Sequence, residues 1–269
     1  TGRQKTKAAM NAKHRALGRI LKTGFLPNLI DDALDPLRLA GAAREAGILA
    51  LEISCRRPDT LDVLARLKRA FPDMAFGVAS LIEDGAYYGF LQKRGPRFPS
   101  IDQAVEAGAD FLVSMIAFQP ETYRRYPGIA IIPGVESPNE AKLHVDWGAS
   151  LVKFSGPALR GGPAYFKSMV VCGPLHRGLP VLVTGGVKPE LIEPYVEAGV
   201  LAAAAGFDLI LGLAYKEFQK TPDWPMVRDA LGAYVAAFAE ARARHRPGVD
   251  FASADPAVIE KTSGLCLNA

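Results

Sequence analysis

Leu151-Val-Lys-Phe-Ser-Gly156 is a short apolar run with one charge at its centre, and a proline follows it. A run of this length between chain breakers is typical of a buried β-strand. Because side chains alternate along a strand, Lys153 points away from the face that holds Val152 and Phe154. An inward lysine is costly unless it is paired or neutral, and a neutral amine attacks carbonyl groups. A simpler alternative is a lysine at the strand end that reaches solvent.

Around this strand the chain repeats one unit, a helical stretch that closes with glycine and is followed by an apolar strand. Glycine in this place is the usual left-handed helix cap, and it recurs at Gly47, Gly108, Gly148 and Gly199. Proline in the first helical turn marks several starts, at Pro36, Pro138 and Pro189. The predicted strands cover residues 24–30, 48–55, 74–80, 111–117, 129–135, 151–156, 180–186 and 201–207.

Eight strands alternating with helices predict an α/β fold, a single (β/α)8 TIM barrel. An open doubly wound sheet is the alternative, and it is disfavoured because no G-x-G-x-x-G follows the first strand. We expect a basic N-terminal helix over residues 1–22, the barrel over 23–219, and a C-terminal helix and tail over 220–269. The final helix is expected near 225–245, and the tail is either an interface arm or disordered.

The predicted loop after strand three, residues 81–100, is longer than a minimal barrel needs. Loops in this place lie on the catalytic face of a barrel, so the segment is a candidate lid.

Composition excludes several classes of function. Of the 32 Lys and Arg residues, seven lie within residues 1–30, which leaves 25 against 28 acidic residues in the body. A folded body without a basic face is not expected to bind nucleic acid. No apolar run reaches the ~20 residues of a membrane helix. Three cysteines without disulfide or metal spacing suit the reducing cytoplasm, and four histidines without ligand spacing disfavour a metal site.

The active sites of barrels lie at the C-terminal ends of the strands. In strand two the alternation places Ala50, Glu52, Ser54 and Arg56 on the inner face. An acid and a guanidinium there need partners, and Lys153 is an obvious one. A buried ion network that only holds the barrel together is the structural alternative.

The ends of three other strands add polar groups to this face. Ser80 ends strand three and is expected to point inward if Val78 does. Glycine-rich turns after the last two strands commonly bind an anion through backbone N–H groups. In this chain those turns contain Thr184, Gly185, Gly186, Gly206 and Phe207.

Over about residues 24–212 these features resemble the class I aldolases of 2-keto-3-deoxy-6-phosphogluconate and 4-hydroxy-2-oxoglutarate. Five segments carry the resemblance, in order: Leu51-Glu-Ile-Ser-Cys-Arg56, Gly77-Val-Ala-Ser80, Ile132-Pro-Gly-Val135, Val152-Lys-Phe154 with Gly161-Gly162, and Thr184-Gly-Gly-Val187. The resemblance implies a homotrimeric barrel of carbohydrate metabolism that joins or separates pyruvate and an aldehyde without a cofactor. Lys153 would form the imine and Glu52 would move protons through water, while Arg56 and Ser80 would hold the pyruvate carboxylate.

Three positions depart from the family pattern and would also contact substrate. Met115 stands where proline is frequent, and Ser155 stands where an aromatic residue is usual. Phe207 replaces a serine that often helps to bind phosphate, so the expected aldehyde half is small or unphosphorylated. Two other functions stay open: an imine-forming decarboxylase or dehydratase on a 2-oxo acid, and a non-catalytic barrel that binds sugar acids.

Overall fold

The computed structural model describes residues 11–31, 33–83, 85–93, 98–171 and 179–263, except for the side chains of residues 169–171. Its strands are β1 (Phe25–Leu29), β2 (Ala50–Ser54), β3 (Ala75–Ala79), β4 (Phe111–Val113), β5 (Ala130–Ile132), β6 (Gly134–Val135), β7 (Val152–Ser155), β8 (Val181–Thr184) and β9 (Ala202–Gly206). All are parallel to their neighbours, in the order β5-β4-β3-β2-β1-β9-β8-β7-β6.

Pro133 is the only residue between β5 and β6, and the two segments act as one strand that closes the sheet. The Ser150 amide donates to the Ile131 carbonyl (2.9 Å), and the Lys153 amide donates to the Pro133 carbonyl (2.8 Å). Proline has no N–H to donate, so the ladder is interrupted at this residue although its carbonyl still accepts. The ring therefore has eight members, and the predicted (β/α)8 barrel is confirmed.

The α-helices of the described residues surround this ring. They are α1 (Ala12–Thr23), α2 (Pro36–Glu45), α3 (Thr60–Ala70), α4 (Ala86–Gln92), α5 (Ile101–Glu106), α6 (Pro120–Arg125), α7 (Pro138–Trp147), α8 (Pro163–Val171), α9 (Ile192–Glu197), α10 (Phe207–Leu211), α11 (Tyr215–Lys220), α12 (Trp224–His245) and α13 (Pro256–Thr262). The helix before the lysine strand shows the predicted signals, since Pro138 begins α7 and Gly148 ends it at φ +107°, and a Ser137–Glu140 capping box also marks its start.

Two buried clusters show which way the strands face. Leu51 and Ile53 belong to the layer between barrel and helices, whereas Ala50 belongs to the cluster inside the barrel. On β7, Val152 and Phe154 lie in the outer layer. The predicted alternation is confirmed on both strands, and Glu52 and Lys153 consequently lie on inner faces.

Helix α1 closes the N-terminal end of the barrel. Leu17, Ile20 and Leu21 are buried with the inner cluster, and the N-terminal helix expected over residues 1–22 is observed over Ala12–Thr23. Residues 1–10 lie outside the described ranges.

The C-terminal extension folds back onto the barrel. The expected final helix is confirmed as α12, which packs against α2 and α9. Within the tail that was expected to be an interface arm or disordered, Pro256–Thr262 form α13 against α1, and residues 264–269 lie outside the described ranges. The apolar Ile259 is 3 % exposed, and Glu260 pairs with His14 at 2.7 Å. In the described part of the chain, every helix is too short or too polar to span a lipid bilayer.

The long loop after β3 contains α4, and its two sides are linked through one carbonyl. The Tyr88 hydroxyl and the Gln92 amide both donate to Phe98 O, at 2.9 and 2.6 Å. Residues 84 and 94–97 of this loop lie outside the described ranges. Its closure as a lid stays a prediction.

Candidate active site

The inner faces of β2 and β7 bring an amine and a carboxylate together. Lys153 Nζ lies 3.0 Å from Glu52 Oε1 and 3.0 Å from Glu52 Oε2. Three strands separate β2 from β7 on either side of the ring, if β5 and β6 count as one, so the pair spans the barrel. Lys153 is 2 % exposed and Glu52 is 0 % exposed. The alternative of a lysine that reaches solvent is therefore wrong.

Burial decides the protonation chemistry of this pair. Removal from water raises the pKa of the Glu52 carboxyl above its ordinary value, while the charge and hydrogen bond of Lys153 and the charge of Arg56 act in the opposite direction. An acid in this environment accepts a proton readily. Glu52 is thus placed to take a proton from the lysine amine that it touches.

A guanidinium and two hydroxyls meet where β2 and β3 end. The amide and Nε of Arg56 both donate to Ser54 Oγ at 3.2 Å, and Ser54 Oγ lies 3.1 Å from Ser80 Oγ. Arg56 itself is exposed at the barrel mouth. A cation and a hydroxyl at a mouth can bind a carboxylate.

Ser80 joins this group by a route that strand alternation does not predict. Its inward direction was expected on condition that Val78 faces inward, and Val78 lies in the outer layer while Ala79 lies inside. That premise was wrong. Ser80 has φ +62°, a left-handed conformation that is uncommon for residues other than glycine. This turn ends the strand geometry and brings the hydroxyl to Ser54.

Met115 and Ser155 meet on the opposite rim of the mouth. The Ser155 hydroxyl donates to Met115 Sδ at 3.1 Å, and Met115 is 50 % exposed. The backbone of Met115 passes close to Gly134, since a Cβ on that glycine would lie 2.1 Å from Met115 C. A glycine before the lysine strand therefore lets the loop after β4 reach the site.

The turns after β8 and β9 complete the rim, with one correction. Thr184 Oγ1 donates to the Ala204 carbonyl at 3.0 Å, and Gly185 and Gly186 take φ values of +88° and +80°. Phe207 is 3 % exposed and packs in the outer layer, so its ring does not line the mouth as expected. The reason is alternation, because the inner position at the end of β9 belongs to Gly206.

Two polar residues of this region were missed at the level of sequence. Asn28 lies on the inner face of β1, and an amide inside the apolar run Phe25-Leu-Pro-Asn-Leu29 was the available signal. Asp208 Oδ1 lies 2.6 Å from the position that a Cβ on Gly206 would take, a proximity that no sequence pattern indicates.

A metal site needs several ligand side chains close together. In the ranges that the structure describes, no set of three or more His, Cys, Asp and Glu side chains is placed to hold a metal ion. The free thiol of Cys55, the residue after β2, is buried in the outer layer, and burial raises its pKa to about 12.

Comparison with known proteins gives a consistent result. The family described as KDPG and KHG aldolase matches residues 20–228. The 2-dehydro-3-deoxy-phosphogluconate aldolase of Treponema pallidum is 26 % identical over 174 residues, 64 % of this chain and 74 % of the relative. The 2-dehydro-3-deoxy-6-phosphogalactonate aldolase of Escherichia coli is 25 % identical over 178 residues, 65 % and 78 % of the two chains.

Among solved structures, a KDPG aldolase from Legionella pneumophila superposes with a TM-score of 0.65 at 25 % identity. The match covers 81 % of this chain and 97 % of the Legionella chain. That structure holds pyruvate captured at low pH as a covalent carbinolamine intermediate. The fold and the matches together define a lyase built on a TIM barrel. More particularly, the chain belongs to the KDPG and KHG aldolase family, and it is a class I aldolase.

Proposed function

We propose that this aldolase cleaves or forms a 2-keto-3-deoxy sugar acid or a 4-hydroxy-2-oxo acid, with pyruvate as the keto half and an imine on Lys153. The observation that carries the proposal is the buried amine held 3.0 Å from both oxygens of Glu52. A structural ion pair needs no such place, whereas a nucleophile needs a base beside it at the end of the strands.

The reaction begins when Lys153 gives a proton to Glu52 and the neutral amine attacks the C2 carbonyl of the substrate. Glu52 returns the proton to the C2 oxygen and then carries a second proton from the attached nitrogen to the same oxygen, so that water leaves and a protonated imine remains. Cleavage of the C3–C4 bond releases the aldehyde as the C4 hydroxyl passes its proton to Glu52, and the bonding electrons pass into the iminium to give an enamine. A proton from Glu52 to C3 and hydrolysis of the imine then release pyruvate.

The mouth supplies the other contacts. Arg56 and Ser80, linked through Ser54, bind the pyruvate carboxylate on the β2–β3 side. Met115 and Ser155 border the reacting carbons beside the lysine strand. The aldehyde half extends towards the turns that contain Thr184, Gly185, Gly186 and Gly206.

We propose further that this half carries no phosphate. Asp208 is exposed, and its carboxylate lies against Gly206 at the rim. A fixed anion there repels a dianionic phosphate but accepts hydrogen bonds from hydroxyl groups. The ring of Phe207 is buried in the outer layer and does not face this half of the substrate, whereas the Asp208 carboxylate beside Gly206 does.

Borohydride trapping tests the function. Reduction in the presence of pyruvate is expected to attach a stable adduct at Lys153, detected by peptide mass. Lys153→Met should lose the adduct, while Lys142→Met, on the exposed face of α7, should keep it. Glu52→Gln should lose about 10²–10⁴-fold in turnover, the usual contribution of an acid–base group. No adduct on the unaltered protein would contradict the proposal and favour a binding barrel.

A panel of 2-keto-3-deoxy acids, assayed for released pyruvate, separates cleavage from the other imine chemistries. Release of carbon dioxide, or of water without an aldehyde, would instead indicate a decarboxylase or dehydratase.

We also propose a homotrimer in the cytoplasm. Support for assembly comes from Leu159 and Leu213, which follow β7 and β9 and are 93 % and 104 % exposed. Large apolar side chains so fully exposed suit contact with another subunit. Light scattering should give about three times the 28.8 kDa of one chain, and a monomer mass would contradict the trimer.

A further inference from the structure

Asn28 lies beside Glu52 inside the barrel. The two residues are register partners on β1 and β2, and Gly206 is the partner of Asn28 on the other side. Phe25 and Leu29 of the same strand pack in the outer layer. Alternation therefore directs the Asn28 side chain inward, and neighbouring parallel strands lie only about 4.8 Å apart.

The carboxamide oxygen of Asn28 is buried without a hydrogen-bond partner. Among the described residues, Asn28 Oδ1 and Ser150 Oγ are the two buried side-chain oxygens without a hydrogen-bond partner. Such an atom costs stability, because water would otherwise donate to it. A buried acceptor of this kind at an active site indicates a donor that forms during the reaction.

The charged groups that face Glu52 show when that donor forms. Lys153, from β7, points its amine at both carboxylate oxygens, and Arg56, from the end of β2, acts through its charge. In the proposed mechanism the amine passes a proton to Glu52 and then becomes an imine nitrogen with at most one hydrogen. Glu52 carries an O–H after it takes the amine proton and again after it takes the C4 hydroxyl proton, and in both states this buried O–H needs an acceptor.

We propose that Asn28 is a positioning residue that accepts the hydrogen bond of the Glu52 carboxyl proton while Lys153 is bonded to substrate. This inference rests on the proposed function, because it concerns the proton that Glu52 moves. The contact holds the carboxylic acid in place before its transfer to the C2 oxygen and again, once Glu52 has taken the C4 hydroxyl proton, before its transfer to C3.

Two substitutions of similar size test the idea with opposite signs. Asn28→Leu removes the acceptor and so destabilises protonated Glu52, which lowers the pKa assigned to Glu52 in the pH profile of kcat. Asn28→Asp places a second carboxylate beside it and raises that pKa. We expect shifts of about one pH unit and, in Asn28→Leu, a loss in kcat of about tenfold, the factor that one hydrogen bond supplies. The profile of kcat is chosen because it reports the enzyme–substrate complex.

Ser150→Ala is the matched control. It removes the other unpartnered buried oxygen, three positions before Lys153 and outside strand β7, and it should leave the profile unchanged. Each variant is first tested for the borohydride adduct with pyruvate, which shows that the site is folded.

Profiles that coincide for the unaltered protein, Asn28→Leu and Asn28→Asp, with adducts in all three, would overturn this inference and leave the proposed function standing. Absence of the adduct from the unaltered protein would overturn both. If Asn28→Leu does not fold, the pH profile of the isosteric Asn28→Asp is the deciding measurement. An upward shift of the pKa assigned to Glu52 supports the inference, and no shift overturns it.

Discussion

Lys153 Nζ lies 3.0 Å from both carboxylate oxygens of Glu52, although 101 positions separate the two residues in the chain. The pair crosses the interior of the barrel and is closed off from solvent. Two charges in such a place stabilise little on balance, since the loss of hydration offsets their attraction. Their position is better explained by chemistry, because each group can exchange a proton with the other.

Removal of the amine should make stability depend strongly on pH. In Lys153→Met the buried Glu52 loses the partner that lowers its pKa, so the pKa rises further above the ordinary 4.5. An acid with a raised pKa contributes stability that is present below its unfolded value and lost as pH rises through the folded value. We expect a loss of about 3–5 kcal/mol at neutral pH, recovered towards pH 4–5, in denaturant titrations.

The double variant Lys153→Met with Glu52→Gln is the control for that experiment. It has no buried ionisable group at this point, so its stability relative to the single variant should recover at neutral pH. An equal pH dependence in both variants would show that Glu52 is not responsible.

A side chain at Gly77 should destabilise the barrel. A Cβ there would lie 2.2 Å from Phe111 Cε2 inside the barrel, where Gly77 on β3 is the register partner of Glu52. We expect Gly77→Ala to cost about 1–3 kcal/mol of unfolding free energy, because the ring must move in a packed core. Gly41→Ala, whose nearest contact is Phe71 Cζ at 4.0 Å within helix α2, should be neutral or stabilising. Equal losses in the two variants would contradict the steric explanation.

Asp208 should discriminate against phosphate. Asp208→Asn removes the rim anion beside Gly206 and is expected to raise kcat/KM for a phosphorylated 2-keto-3-deoxy acid by about tenfold relative to the unphosphorylated one. Asp229→Asn, an equal change of charge on the outside of α12, should leave the ratio unchanged. A strong preference of the unaltered enzyme for the phosphorylated acid would reject the proposal.

His144 should weaken the protein at acidic pH. Burial lowers its pKa from the ordinary 6.5, with Glu140 acting in the opposite direction, and its Nδ1 lies 2.8 Å from the Tyr123 hydroxyl. The neutral ring is favoured in the folded state, so stability is present above 6.5 and falls as pH drops below it. His144→Phe should cost about 1–3 kcal/mol at pH ~8, where the Tyr123 hydroxyl loses its partner.

At pH ~5, His144→Phe should lose less unfolding free energy relative to the unaltered protein, because protonation of the His144 ring then destabilises the unaltered protein. Tyr123→Phe keeps His144 and should retain the acid-dependent slope. Thermal denaturation across this range measures both, and parallel curves for His144→Phe and the unaltered protein would refute the assignment.

Much of the architecture follows from short-range rules. Glycine caps such as Gly148, the capping box at Ser137 and the period of two around Lys153 predict helices, strands and faces correctly. These signals depend on residues a few positions apart in the chain, and they do not depend on which tertiary fold forms. The buried, inward position of Lys153 was therefore predictable, as was that of Glu52.

Other parts of the site depend on the local conformation at strand ends. Ser80 turns towards Ser54 because its φ is +62°, and period-two alternation cannot predict a left-handed residue. Phe207 was assigned to the mouth by correspondence with a family position, although its parity on β9 directs it outward. The fold of the tail through α13 depends on a surface of α1 that no local pattern describes.

By itself the sequence determined the repeating βα unit, the inner faces of β2 and β7 and the family to which the motifs point, because these follow from periodicity and local motifs. Only the tertiary structure decided that Lys153 touches Glu52, that Asn28 stands beside that acid, and that Asp208 borders Gly206. Distances across a closed ring depend on the number and register of its strands, and that information exists only when the ring has closed.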